Sequence, residues 1–478
     1  MPGGPAARGR RAAAWLTAAC LITTAATCWS AAALAQAARI KAGPKAPPVY
    51  VSYTTHDGDT LYDIARRYMV DPTDWALLSR LNHVAAPRRM PAGIVLRLPF
   101  AKLRRDPDAA RVIAMSGPVE HAFRTSPYLP LKTGETLVEG DRVRTGPNGF
   151  ATLELPDGSY VTIAQDGELD IEKLQHVALT GAGDRVFELR HGEVESQVTH
   201  ATRRDDRFQI RSPSVVAGVR GTRFRVDYDG STQTTAVAVL DGAVGVDPAI
   251  QASGRGQRAA PAPGVPLQAS EQLVNASFGN VTRSGGAVGS PIELLPPPAL
   301  AQPARVQDGK TVAFDIEPAA QAVGYRLQIS HDADQLDLVR DMRVSTQHAD
   351  FGDLPDGTYF VRVASTDSHG LDGLPNVYAF ERRQLGLDAS ASQRAGSRDY
   401  KFRWFVSNSQ VPTSFRFVLA RTADLSHPVV DRTDLPGGEL VVSDLPEGIY
   451  YWTIVAEQFE NGRFYEKSSP VRSFTLAR

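Results

Sequence analysis

The side chains that could carry chemistry are numerous but scattered. The chain has 53 acids and ten histidines, yet no His-Glu-x-x-His string, no Gly-x-Ser-x-Gly elbow and no phosphate-cradling glycine loop. No histidine has a second one at metal-binding spacing, and the two cysteines, Cys20 and Cys28, fall in an apolar run near the start. No catalytic residue, metal or cofactor is therefore predicted. A pair of carboxylates flanking a glycosidic bond is the catalytic arrangement that spacing alone does not address. Two short glycine-containing stretches do stand out: His56-Asp57-Gly58-Asp59-Thr60-Leu61 and Met90-Pro91-Ala92-Gly93-Ile94. Glycine lets the chain turn tightly and lets main-chain N–H and C=O groups approach a ligand closely.

The elements that must position these stretches follow from periodicity. Tyr50-Val51-Ser52-Tyr53 is extended, and Asp59 or Thr60 caps a helix whose stripe is Leu61, Ile64, Ala65 and Tyr68. Asp71 and Pro72 restart a helix as N-cap and first position, with Trp75, Leu78 and Leu81 on its inward face. Asn82 opens the exit loop, and Pro91-Ala92-Gly93 leads into Ile94-Val95-Leu96-Arg97-Leu98, which alternates as a half-buried strand does. The order is β-α-α-β.

That order, with Tyr53, Gly58-Asp59-Thr60-Leu61, Ile64-Ala65, Tyr68, Asn82, Gly93 and Leu96-x-Leu98-Pro99, resembles the LysM family over about 50 residues. The second helix carries extra residues around Trp75, and Ala92 stands where the family commonly has none. The resemblance implies binding of N-acetylglucosamine-containing glycans such as peptidoglycan. Gly58, Asp59, Thr60 and Leu61 would form one wall of the groove, and Met90, Pro91, Ala92, Gly93 and Ile94 the other. The competing expectation is that Asp59 and Thr60 only cap the helix while Leu61 and Ile94 fill a small core. A single copy implies weak binding, since affinity in such modules rises by linkage.

From Val112 onward short alternating runs are punctuated by Gly and Asp-Gly. Leu153 and Leu155, then Asp157-Gly158, then Val161 and Ile163 read as a hairpin. The spacing fits a sandwich or a β-solenoid and does not choose between them. Gly140-Asp141-x-Val143-x-Thr145, Leu155-x-Asp157-Gly158-Ser159, Arg220-Gly221-Thr222-x-Phe224-x-Val226 and Leu240-Asp241-Gly242-x-Val244 resemble the FecR domain family. In that family the domain is the periplasmic half of a transmembrane regulator, so the resemblance implies an interaction domain. Arg220 and Thr222 flank a glycine and are expected to satisfy backbone groups. The mixed-sign run Arg203-Arg204-Asp205-Asp206-Arg207 is expected to be a solvated loop.

Residues 249–305 shift to Ala, Pro, Gly and Ser and read as a semi-ordered spacer, of which Leu273-Val274 or Ile292 to Leu295 could pair with a neighbouring domain. Beyond it, Leu354-Pro355-Asp356-Gly357-x-Tyr359 recurs as Leu445-Pro446-Glu447-Gly448-x-Tyr450, and Tyr325-Arg326-Leu327 as Phe415-Arg416-Phe417. Two sibling domains resembling fibronectin type III sandwiches are expected, with Trp404 and Trp452 in their cores.

The fold class is thus multidomain and mainly β: a small β-α-α-β LysM module, a central all-β FecR-like domain and two C-terminal β-sandwiches. The expected boundaries are a signal peptide at 1–35, a linker at 36–48, the LysM-like module at 49–100, the FecR-like domain at 110–248, the spacer at 249–305, and repeats at 306–384 and 395–478. Arg8, Arg10 and Arg11 before an apolar run, with Ala33-Leu34-Ala35 as a cleavage site, predict export to the periplasm with cleavage near Ala35. A retained membrane anchor and lipid attachment at Cys20 are the competing readings. Removing the segment takes the formal charge from -1 to -4, which does not supply the cationic field that phosphate neutralisation needs, so nucleic acid is not an expected partner. The expected partners are peptidoglycan glycan strands and an envelope protein. The expected function is a non-catalytic scaffold or adaptor docked on peptidoglycan; the alternatives are a FecR-type periplasmic sensor and a peptidoglycan hydrolase.

Overall fold

The computed structural model describes residues 49–477 except 202, 204, 250–269, 304–305, 408–410 and 461. The expected export segment, both cysteines and the 36–48 linker lie outside the described residues. The chain divides into two compact units between Leu103 and Arg104.

In the first unit the strand Tyr50–Thr54 pairs antiparallel with Val95–Pro99. The helix Leu61–Tyr68 begins at Thr60, whose side chain accepts from the Asp63 N–H at 3.1 Å. Asp71 caps the next segment, as expected, but Pro72–Asp74 is a 3-10 turn and the α-helix runs only over Trp75–Leu81. Helical side chains lean toward the N-terminus, so Trp75, as first helical residue, projects past the core and is 37% exposed. The expectation of an inward Trp75 is corrected; Leu61, Ile64, Ala65, Leu78, Leu96 and Leu98 make the core.

The second unit opens with a module of two sheets sharing one long strand, Gly183–Gln197. Its first part pairs with Glu168–Val177 and, in parallel, with Arg207–Arg211. Its last part pairs with Tyr160–Ile163 and Arg223–Asp229. The change of sheet falls at Gly192, whose φ of +76° suits glycine and whose Cβ, if present, would lie 2.8 Å from the Gly167 Cα. One apolar cluster, including Leu153, Ile163, Phe187, Ile210, Phe224 and Val244, draws on both sheets. The expected hairpin is present as Phe150–Glu154 against Tyr160–Ile163. From 272 the semi-ordered spacer supplies strands, and Leu273-Val274 and Ile292 pair with the neighbouring domain as expected: Gln272–Asn275 pairs with Ala243–Pro248, Phe278–Arg283 with Thr234–Asp241, and Ile292–Glu293 with Phe278–Arg283. Fully buried Val274 and Asn280 hold it there.

Two β-sandwiches follow. In the first, Gly324–Ser330 lies between Leu338–Val344 and Gly357–Thr366. In the second, Thr413–Ala420 lies between Val430–Leu435 and Gly448–Glu460. Gly386–Gln393 pairs with Tyr400–Ser407, so the second sandwich begins about ten residues before the expected 395. The shared Pro-acid-Gly-x-Tyr motif has the same cause in both: the Tyr359 hydroxyl donates to Pro355 O at 3.0 Å and the Tyr450 hydroxyl to Pro446 O at 2.7 Å. Each corner is pinned by a tyrosine reaching back four residues. Trp404 and Trp452 are buried.

The central module and the first sandwich meet through polar faces. On Gly183–Gln197, Val194 and Ser196 are buried while Glu193 and Glu195 point the other way. On Gly324–Ser330, Leu327 and Ile329 fill the core while Arg326 and Gln328 point out. These outer faces are pressed together. The Glu195 carboxylate accepts from Arg362 Nη1 and Nη2 at 2.9 and 2.7 Å, from Arg225 Nε at 3.0 Å and from Arg223 Nε at 2.9 Å. Arg326 donates to Glu193 at 2.5 Å, to Asp372 at 2.9 Å and bidentately to Asp341. Burial opposes ionisation of Glu195, but the charges of Arg362, Arg225 and Arg223 outweigh it and hold the carboxyl well below the usual range.

Two outcomes follow from this contact. Removing one member of a buried ion pair strands the other, so Glu195→Gln should cost about 3–5 kcal/mol, read as a shifted denaturation midpoint for the central module and first sandwich, while Arg416→Ala at an exposed pair leaves it unchanged. Asp227 is pushed up to about 7, first by burial and then by the charge of Glu193. A raised carboxyl binds its proton more tightly when folded, so its contribution is complete below about pH 4 and is lost as pH rises through 7. Asp227→Asn should flatten that decline in a series of melting temperatures taken between pH 5 and 8.

Candidate glycan-binding site

The two glycine stretches of the first unit lie side by side, and Thr55 joins them. Its main chain donates to Ile94 O at 2.9 Å and accepts from the Gly93 N–H at 2.8 Å. Its hydroxyl donates to Pro91 O at 2.8 Å and accepts from the Ile94 N–H at 2.9 Å. A further bond runs from the Leu61 N–H to Pro87 O at 2.9 Å. Loops separated by more than 30 residues therefore behave as one surface. A hydroxyl that pairs so far along the chain leaves no local signal, which is why Thr55 was absent from the candidate residues.

Within each stretch glycine sits where geometry demands it. Gly58 has φ +84° at the third position of a turn closed by the Asp59 N–H on His56 O, and Gly93 has φ +85°. Both are exposed, and a Cβ at either would meet nothing within 4 Å. Open space thus lies above both turns, and among the described residues no intramolecular hydrogen bond takes up the main chain of Gly58 or Ala92.

The candidate wall residues divide into two groups. Gly58, Pro91, Ala92, Gly93 and Ile94 are exposed, and Thr60 is partly so. Leu61 and Met90 are buried beneath them as a floor. Asp59 is buried too, and its carboxylate is already occupied: Oδ2 accepts from the Tyr53 hydroxyl and from the His56 N–H, both at 2.8 Å, and Arg67 lies 3.8 Å from Oδ1. Burial raises the Asp59 carboxyl, but the His56 and Tyr53 hydrogen bonds and the Arg67 charge prevail and lower it. Burial and this same bond push the Tyr53 phenol up to about 12. Asp59 braces the first turn, and Thr60, not Asp59, caps the helix.

The surface offers backbone donors and acceptors over an apolar floor, which suits the amide and hydroxyl groups of an amino sugar. Among the described residues, no group of three or more His, Cys, Asp or Glu side chains is placed to hold a metal, and no helix is long and apolar enough to cross a membrane.

Comparison with known proteins finds two family matches. Residues 53–99 match the family model of the LysM domain, and residues 141–245 that of FecR protein. No curated protein matches the chain. Among solved structures, the chain is similar to a protein from Parabacteroides distasonis described as a candidate anti-sigma factor, at 16% identity over 32% of this chain, with a TM-score of 0.24. The match spans 59% of that protein's own length. It is also similar to the fibronectin(III)-like modules of Clostridium thermocellum CbhA, at 11% identity over 37% of this chain and 90% of that one, with a TM-score of 0.21. A two-domain fibronectin type III segment of chicken tenascin matches at 14% identity over 37% of this chain and 99% of its own, with a TM-score of 0.20.

Thr55→Val keeps the shape of the side chain but removes both hydrogen bonds of its hydroxyl, the one to Pro91 O and the one from the Ile94 N–H. It should cost about 1–3 kcal/mol of stability in the first unit, visible as faster amide exchange across residues 90–95 with the second unit unaffected.

Proposed function

We propose that this chain is a non-catalytic, exported envelope protein that binds N-acetylglucosamine-containing glycan, peptidoglycan foremost, on the paired turns of its first unit. The observation that carries this reading is the stitching of the two turns by Thr55 within a segment matching LysM, which leaves the main chain of Gly58 and Ala92 facing open space. Gly58, Thr60, Pro91, Ala92, Gly93 and Ile94 contact the sugar. Asp59, Leu61 and Met90 act from beneath. The periplasm is the expected location, with cleavage near Ala35. The β assembly of the second unit is a scaffold presented to an envelope partner. The FecR match over 141–245 favours a second reading, in which that assembly is the sensing half of a regulator; crosslinking that recovers an inner-membrane partner distinguishes it.

The test is co-sedimentation of the full chain with purified sacculi. The wild-type protein should pellet and be released by N-acetylglucosamine oligomers. Ala92→Glu, at an exposed position, should raise the apparent Kd for sacculi about tenfold, the loss of roughly 1.4 kcal/mol, without moving the melting temperature. A wild-type chain that stays wholly in the supernatant overturns the proposal.

A further inference from the structure

A cleft of about 290 Å³ opens in the central module, far along the chain from the glycine turns, with Arg185, Arg203, Arg207 and Arg220 on its walls beside Asp157 and Asp206. The run from Arg203 to Arg207 was expected to be a solvated loop. Its described members instead fold over the start of the long strand: Asp206 accepts from the Gly183 N–H at 2.9 Å and from the Arg203 N–H at 3.1 Å. Gly181 and Gly183 make room for this. A Cβ on Gly181 would lie 2.5 Å from the Arg203 guanidinium, and one on Gly183 would collide with that of Arg185.

The acids of the cleft are already committed. Both oxygens of Asp206 are taken by main-chain amides, and Asp157 accepts from the Ser159 N–H at 3.1 Å and the Thr199 hydroxyl at 3.3 Å, with Arg185 Nη1 3.2 Å away. Arg185 and Arg207 keep unused donors. The Arg185 side chain is only 9% exposed, and its Nε has no hydrogen-bond partner among the described residues. Arg207 pairs with Asp184 at 2.7 Å, yet its buried Nη2 has none. Burial, and then crowding by Arg211 and Arg105, work against the charge on Arg207 more strongly than Asp184 supports it. Buried N–H donors on a charged fork are costly to leave unmade, and an oxyanion is what such forks complement.

We propose that this cleft is a binding site for an oxyanion, a carboxylate or phosphate group on a ligand of modest size, held by Arg185 and Arg207 and closed over by Arg203. The volume equals that of roughly ten waters, more than a bare inorganic ion fills, so the charged group is one end of a larger molecule. The site is independent of the glycan surface and does not rest on it.

The test is isothermal titration of the full chain with inorganic phosphate and, separately, with citrate as a carboxylate probe, at constant ionic strength set with chloride. Binding of phosphate alone identifies a phosphorylated ligand, binding of citrate alone a carboxylate, and either supports the site. Arg207→Gln should weaken the bound anion about tenfold or more, and Arg203→Gln, at the rim, by a smaller factor with an unchanged melting temperature. Arg203→Gln keeps the test open should Arg207→Gln fail to fold. Absence of heat with both anions, or equal binding by wild type and both variants, overturns the proposal.

Discussion

The seating of the first sandwich on the central module turns on a buried carboxylate. Glu195 is nearly sealed from water and receives hydrogen bonds from Arg362 of the first sandwich and from Arg223 and Arg225 of its own sheet. Taking an ion out of water costs several kcal/mol, and that cost is recovered here only because each acceptor position is filled and the bidentate fork of Arg362 is itself held, its Nε donating to Gln328 at 2.9 Å. A polar contact of this kind is demanding about geometry. Apolar faces can slide with little change in energy, whereas a fork moved by an ångström loses its bonds. The orientation of the first sandwich on the central module is fixed by direction as well as by contact, and the small apolar patch of Ala238, Leu294 and Leu371 beside it adds burial without selecting an angle.

Much of this was legible in the sequence, and the reasons differ by element. The capped helix at Leu61, the hairpin around Asp157-Gly158 and the repeated Pro-acid-Gly-x-Tyr corners are set by interactions within a few residues, so their signals are local. Trp75 misled because the pattern assumed one helical period from Pro72, and a 3-10 turn intervened. The stretch beyond 272 has the composition of a spacer, yet the apolar residues Leu273-Val274 and Ile292 showed where it meets a neighbouring edge, whereas Phe278–Arg283, rich in polar residues, gave no such signal.

The polar interface was hidden for another reason. Alternation of Val and Glu in Val194–Ser196, or of Arg, Leu and Gln in Arg326–Gln328, reads as one face in the core and the other in water. Two such faces that neutralise each other give the same pattern. The same limit applied at the paired glycine turns. The residue types of the two turns were visible, but which of them face outward was decided by Tyr53, His56 and Thr55, whose bonds turn Asp59 into a brace. Composition reports what a segment can do; partners decide what it does.

The strand Gly183–Gln197 carries Arg185 of the cleft near one end and Glu195 of the clamp near the other. Ten residues separate the two, and because the chain turns at Gly192 they lie nearer than the roughly 33 Å of a straight strand. One strand thus carries a feature of each sheet. A single insertion between its ends would reverse the side on which everything beyond it projects, turning the glutamates into the oily interior and the valines onto the mating face. A change of length in this stretch therefore disturbs both sheets at once, unless the irregular pairing near Arg190 and Gly192 absorbs it.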